Sequence, residues 1–144
     1  MANIKADKLN AFLEERKITS FAVEELKDQL HTVVYRSHLA VSGQQLPFII
    51  VTDDSIYTMM QAQIISGVVK EEKRASVLEY LNELNERFKS FKYTLSKNGD
   101  IILTVCMPVS SDSFDGALAG ALIDVILNHL ETEYPVMMKK IWAE

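Results

Sequence analysis

The sequence predicts an α+β fold, a mostly antiparallel sheet with helices gathered on it, in the order α-β-β-β-β-α-β-β-α. Three observations carry this. Residues 71–88 and 115–142 repeat apolar side chains at helical spacing. Residues 32–41, 46–51 and 56–68 are rich in β-branched and aromatic side chains and are separated by short turn signals. Asn98-Gly99 joins two further apolar runs, a strong short-range hairpin signal. Strands joined by hairpins pair antiparallel, and helices must then cover the sheet.

In chain order, residues 4–17 place Leu9, Phe12 and Leu13 on one face, with Arg16 next along it. Lys5, Asp7, Lys8, Glu14, Glu15 and Lys17 cover the rest, so this is a surface helix with one buried stripe. In 21–27, Ser20 could cap a helix, while Phe21 and Val23 alternate as an edge strand would. The strand is the reading adopted. Thr32–Val41 is a strand, Ser42-Gly43-Gln44-Gln45 a turn, and Leu46–Val51 a central strand opened by Pro47. Asp53-Asp54-Ser55 turns the chain into a long strand, 56–68, which Gly67 ends or bulges.

Glu71–Phe88 is a helix with the stripe Val77, Leu81, Leu84, Phe88, widened by Leu78. Strands 91–96 and 101–107 follow, and Pro108 stops the second. Ser and Asp at 110–113 can cap the last helix, about 115–142, which Pro135 kinks or splits. Gly116 and Gly120 let its start approach the sheet closely.

A chain of 144 residues fits one domain, 1–144, with a single core. Twenty acids against fifteen bases give a net charge of −5, which argues against a nucleic-acid surface. The polar N-terminus lacks the apolar core of a signal peptide, and the run 117–127 is too short to span a bilayer. The expectation is a soluble cytoplasmic protein without a membrane partner.

Groups for chemistry are sparse. His31 and His38 are seven apart and so fall on opposite faces of an unbroken strand, while His129 stands alone beside Leu130. Asp53-Asp54 lacks the further oxygen ligands of a hard-cation loop and reads as turn residues bonding their own backbone. Cys106, the single cysteine, reads as a small buried hydrophobe. Neither a phosphate-cradling glycine loop nor a nucleophile elbow is present. No enzyme, cofactor, metal or catalytic residue is expected.

One strand face is unusual. Tyr57, Met59, Gln61, Gln63 and Ile65 share a side and carry no charge over nine residues, whereas a solvated strand face generally carries Lys or Glu. Ile56, Thr58, Met60, Ala62 and Ile64 form the other side and read as core. A helix of the same chain is the commoner cover for such a face. The other occupant is a protein partner, for which adaptable Met and amphipathic Tyr are suited.

Leu46-Pro47 opening a strand, Leu81-Asn82-x-Leu84-Asn85, Asn98-Gly99-Asp100 before an apolar strand, and Tyr134-Pro135 late in the last helix follow one another in an order that resembles the YbjN-type domain family. That family is named for bacterial sensory-transduction regulators and is similar in fold to the small chaperones of type III secretion. The resemblance also places a strand at 21–27. It implies a domain, often a dimer, that acts through protein contacts. The expected function is therefore non-enzymatic: protein binding, regulatory or chaperone-like, with a homodimer or a client segment as partner. The alternative is a small-ligand sensor with its pocket between the sheet and the last helix. Asn82 and Asn85, on the helix flank, read as bonding nearby backbone.

Overall fold

The computed structural model describes residues 3–143. Its elements are α1 (Ile4–Glu15), β1 (Ala22–Glu25), β2 (Val33–Val41), β3 (Gln44–Thr52), β4 (Tyr57–Ile65), α2 (Glu71–Arg87), β5 (Lys92–Leu95), β6 (Ile101–Pro108) and α3 (Gly116–Trp142). The six strands form one antiparallel sheet in the order β1-β2-β3-β4-β6-β5. The predicted class and element order are those observed, including the short strand within 21–27.

All three helices contribute to a core on one side of the sheet. The register aligns Tyr35, Ile50, Met60 and Val105 across β2, β3, β4 and β6. These four are buried together with Leu9 of α1, Leu81 and Leu84 of α2, and Ile126, Leu130 and Met137 of α3. The space between sheet and last helix, where the alternative reading would place a sensor pocket, is occupied by these side chains.

Several sequence expectations change where the third dimension intervenes. Lys5 does not cover α1 towards solvent but is fully buried. Its Nζ donates to the carbonyls of Ser55, at 2.6 Å, and Tyr57, at 3.0 Å, which ties α1 to the end of the β3–β4 turn. Desolvation lowers its pKa, opposed by Asp53 and Asp54. On α2 the stripe is widened by buried Tyr80, not by Leu78, which is 44% exposed. Tyr80 reaches Glu133 on α3, a partner that α2's own periodicity does not reveal.

The strand predicted over 56–68 is shorter. Ile56 lies in the turn and is exposed instead of in the core, and the irregularity falls between Gln63 and Ile65, not at Gly67. The β2–β3 turn is tighter than expected, so Gln44 and Gln45 belong to β3. In the β5–β6 hairpin only Gly99 has positive φ; Asn98 does not. Ser96 donates to the Asp100 carbonyl and Gly99 to that of Ser96, the pattern of a three-residue loop closing on a left-handed glycine.

Gly116 and Gly120 serve α1, not the sheet. A Cβ at Gly116 would lie 2.5 Å from Phe12 Cβ, and one at Gly120 would lie 2.6 Å from the tip of the same ring. Pro135 does not split α3, which is continuous from Gly116 to Trp142. Its ring is on the exposed side, where water can solvate the carbonyl left without its N–H.

Candidate interaction surface

The side of the sheet away from the helices is uncovered by any described element. Strand alternation decides which residues it presents. In β4 these are Tyr57, Met59, Gln61 and Gln63. The register places Met59 between Val51 of β3 and Cys106 of β6, Gln61 between Ile49 and Thr104, and Gln63 beside Ile102. None of Ile49, Val51, Met59 and Ile102 takes part in the core. Gln61 Nε2 donates to Thr104 Oγ1 at 3.4 Å. Across β3, β4 and β6 this face has no charged side chain. Charge begins at its borders, with Arg36 of β2 opposite Ile49 and Lys92 of β5 opposite Thr104. Arg36 meets Glu24 of β1 at 3.4 Å.

Of the five residues singled out from the sequence, four lie on this face. Tyr57 is 54% exposed, and Met59, Gln61 and Gln63 are half-buried by their neighbours. Ile65 is a correction. The irregularity after Gln63 shifts the alternation, so Ile64 and Ile65 are both buried in the core. Cys106 is a second correction: it is exposed and outward, because Leu103, Val105 and Met107 take the inward positions of β6. The contributions of Ile49, Val51, Ile102 and Thr104 were missed. Their strands are nearly all apolar, and such runs do not say which side is covered. Counting alternate residues from inward Val105 would have found Ile102, Thr104 and Cys106.

The two edges of the sheet differ. At β5, Asn85 of α2 accepts from the Tyr93 amide at 2.7 Å and donates to the Tyr93 carbonyl at 3.1 Å, occupying backbone groups of an edge strand. Asn85 thus bonds backbone, as expected, though on another element; Asn82 donates to Glu86 instead. At the opposite edge, β1 is four residues long and exposed throughout.

Ionisable groups converge at two other places: Glu25, Lys27, Asp28 and His31 line a cavity of about 440 Å³ beside the β1–β2 turn, and a second cluster lies between α2, β5 and α3. Buried Glu133 accepts from the Tyr80 hydroxyl and from Arg87 Nη2 at 3.1 Å. The Tyr93 hydroxyl and His129 Nε2 share a hydrogen bond at 2.6 Å. Burial raises the pKa of both tyrosines and lowers that of His129, with Glu133 opposing the latter shift. The Phe88 and Phe91 rings lie within 4.5 Å of the imidazole, centre to centre. This cluster ties three elements together; the cavity of about 210 Å³ beside it is lined by Tyr80 with Ser76, Glu79, Glu83 and Lys140, and not by Tyr93, His129 or Glu133.

His129 makes stability depend on pH. Its folded pKa lies below the unfolded value of about 6.5, so the unfolded chain takes up the proton first as pH falls. The contribution is complete above that value and is lost as pH drops through the folded one. Denaturant melts from pH 7.5 to 5 should show a steeper loss for the native chain than for His129→Gln. Equal slopes would assign the acid sensitivity to other groups.

The remaining sequence candidates lie in turns at the ends of β2 and β3. Asp53 accepts from the Ser55 amide, a turn bond as expected, whereas Asp54 pairs with His31 at 2.5 Å. His31 lies in the turn before β2, with positive φ, so its parity with His38 has no bearing on ligation. Among the described residues, no group of three or more His, Cys, Asp or Glu could hold a metal ion. No described helix is long and apolar enough to cross a membrane.

The chain is similar to a chain in the crystal structure of the ExsC–ExsE complex, with a TM-score of 0.51 and 14% identity, over 96% of this chain and 94% of that one. At this identity the likeness establishes the fold, an α+β architecture shared over nearly the whole length. No family model and no curated protein matches the chain.

Proposed function

We propose that this chain is a non-enzymatic, chaperone-like or regulatory protein of the YbjN type, and that it works by binding protein through its open sheet face. The observation that carries this is the uncharged surface over β3, β4 and β6, with every described helix on the opposite side. The fold likeness to a chain from a two-protein complex supports it. An uncharged sheet face suits a protein better than a small molecule, which needs a concave site with convergent polar groups.

The first partner is a second copy. Sheets stack face to face at about 10 Å. The three uncharged strands together with β2, whose Arg36 stands at the rim, are about 4.8 Å apart and eight or nine residues long, and present roughly 550 Å² per copy, hence about 1,100 Å² in total. That just reaches the ~1,000 Å² expected of a specific interface. An isologous contact includes each residue twice.

Met59→Glu places two unpaired carboxylates in the contact, at about 1–3 kcal/mol each, and should raise the dissociation constant at least ~30-fold. Met59 is outside the core, so the monomer should keep its melting temperature. Sedimentation at micromolar concentration measures both species. A wild-type particle of 16.3 kDa would eliminate self-association and leave binding of a client segment as the function.

A further inference from the structure

We propose that the open edge of β1 takes an extended segment of a protein partner as an added strand, and that the cavity at the end of this edge holds an arginine side chain of that segment. The edge lies apart from the sheet face, and giving it a client segment rests on the protein-binding reading above.

Register decides which backbone groups are open. The Leu26 amide donates to the Thr32 carbonyl at 2.8 Å, so the alternate residues Glu24 and Ala22 turn their backbone groups to Val34 and Arg36 of β2. Val23 and Glu25 then direct theirs away from the sheet, where no described strand pairs with them. Outward amides and carbonyls at strand spacing are complemented by another extended backbone, whereas a helix keeps its own groups bonded internally. Short as it is, β1 has no lysine, proline or bulge to deter pairing, and it meets β2 in unbroken register. Its core side is also left bare. The buried row Tyr35, Ile50, Met60 and Val105 continues across the sheet to Val23, which pairs with Tyr35 and is 51% exposed. A neighbouring strand would cover that valine.

The cavity of about 440 Å³ supplies the choice of side chain. Asp28 is fixed there, accepting from the Thr32 amide at 2.9 Å and from its hydroxyl at 2.7 Å. These bonds hold its carboxyl below the usual carboxylate range. Glu25 makes no ion pair among the described residues, and His31 is turned to Asp54. Leu26 and Val33 give the cavity an apolar wall. A guanidinium can bridge the two carboxylates while its methylene stem lies on the leucine and valine. Lys27, the cation of the lining, is exposed and keeps its ammonium in water. In antiparallel pairing the residue opposite Glu25 shares its side of the sheet and so reaches this cavity.

The probe is the fluorescein-labelled peptide Ser-Arg-Thr-Val-Thr-Val-Ser, which in that register sets its Arg opposite Glu25 and its central Val opposite Val23. Anisotropy with the full chain should show saturable binding. N-methylation of the Arg and central Val amides, which face β1, should abolish it; N-methylation of the two Thr amides, which face solvent, should not. Val23→Pro removes an outward amide and no ladder bond to β2. It should weaken binding about tenfold or more with little change in melting temperature. Replacing the peptide's Arg by Ala should also cost about tenfold, and Glu25→Arg should prefer the peptide with Glu in that place. Met59→Glu should bind the probe as the native chain does, which separates this edge from the sheet face. Absence of binding up to about 1 mM, the weak limit of measurable affinity, would overturn the proposal, as would equal binding of the two methylated peptides or indifference to loss of the Arg. A self-associated chain that Val23→Pro returned to the monomer would overturn it too, by assigning the edge to a second copy.

Discussion

Leu81→Ala should destabilise the protein by about 2–5 kcal/mol, the range for truncating a buried leucine. Leu81 is 2% exposed and lies between Val77 and Leu84 on the buried face of α2. The loss has two parts: methyl groups no longer removed from water, and a void that the surroundings fill only partly. Collapse into the void is restricted. α2 is held at one end by Asn85 on the Tyr93 backbone and on its flank by Tyr80 on Glu133. The cost should therefore lie in the upper half of the range. Urea melts should give a lower midpoint with an unchanged slope. A loss below about 0.5 kcal/mol, the size of an ordinary surface substitution, would mean that this face of α2 is not buried.

Gly99→Val should cost about 2–4 kcal/mol, from two separable causes. Gly99 has φ of +87°, where a β-branched side chain is strained by about 1–3 kcal/mol. An added Cβ would also lie 2.7 Å from the Val69 carbonyl oxygen and 3.2 Å from the Val69 nitrogen, both backbone atoms. Relief requires moving the segment after β4 and losing the bond from the Val69 amide to the Gly99 carbonyl, about 1 kcal/mol more. Gly99→Asn separates the causes, because Asn tolerates positive φ yet still carries the Cβ. Asn should recover the strain but not the clash. If Val and Asn both melted within about 0.5 kcal/mol of the native chain, neither cause would operate.

These two variants also mark what could be read in advance. The Leu81 stripe was legible because helix periodicity reports burial directly, and the Asn98-Gly99 hairpin because turn chemistry is local. The contact of Gly99 with Val69 was not legible, since it joins segments thirty residues apart. The candidate surface was half legible. Strand alternation placed Tyr57, Met59, Gln61 and Gln63 together. It could not include Ile49 or Ile102, which are brought alongside only by register, nor exclude Ile65, which one irregularity moves inward.

The sequence by itself determined the class, the order of eight of the nine elements and the strand that carries the unusual face; spacing left 21–27 between helix and strand, and the family resemblance placed the strand there. The first three depend on spacing along the chain: 3.6 residues for a helix, two for a strand, and a glycine at the turn. Only the tertiary structure decided which side of the sheet the helices cover, and therefore that this face is open. It also decided that Lys5 is buried on two carbonyls, that Cys106 points outward, and that Gly116 and Gly120 meet Phe12. The physical reason is the same throughout. Periodicity identifies the apolar side of one element, whereas covering it, or leaving it bare, depends on where distant elements come to rest.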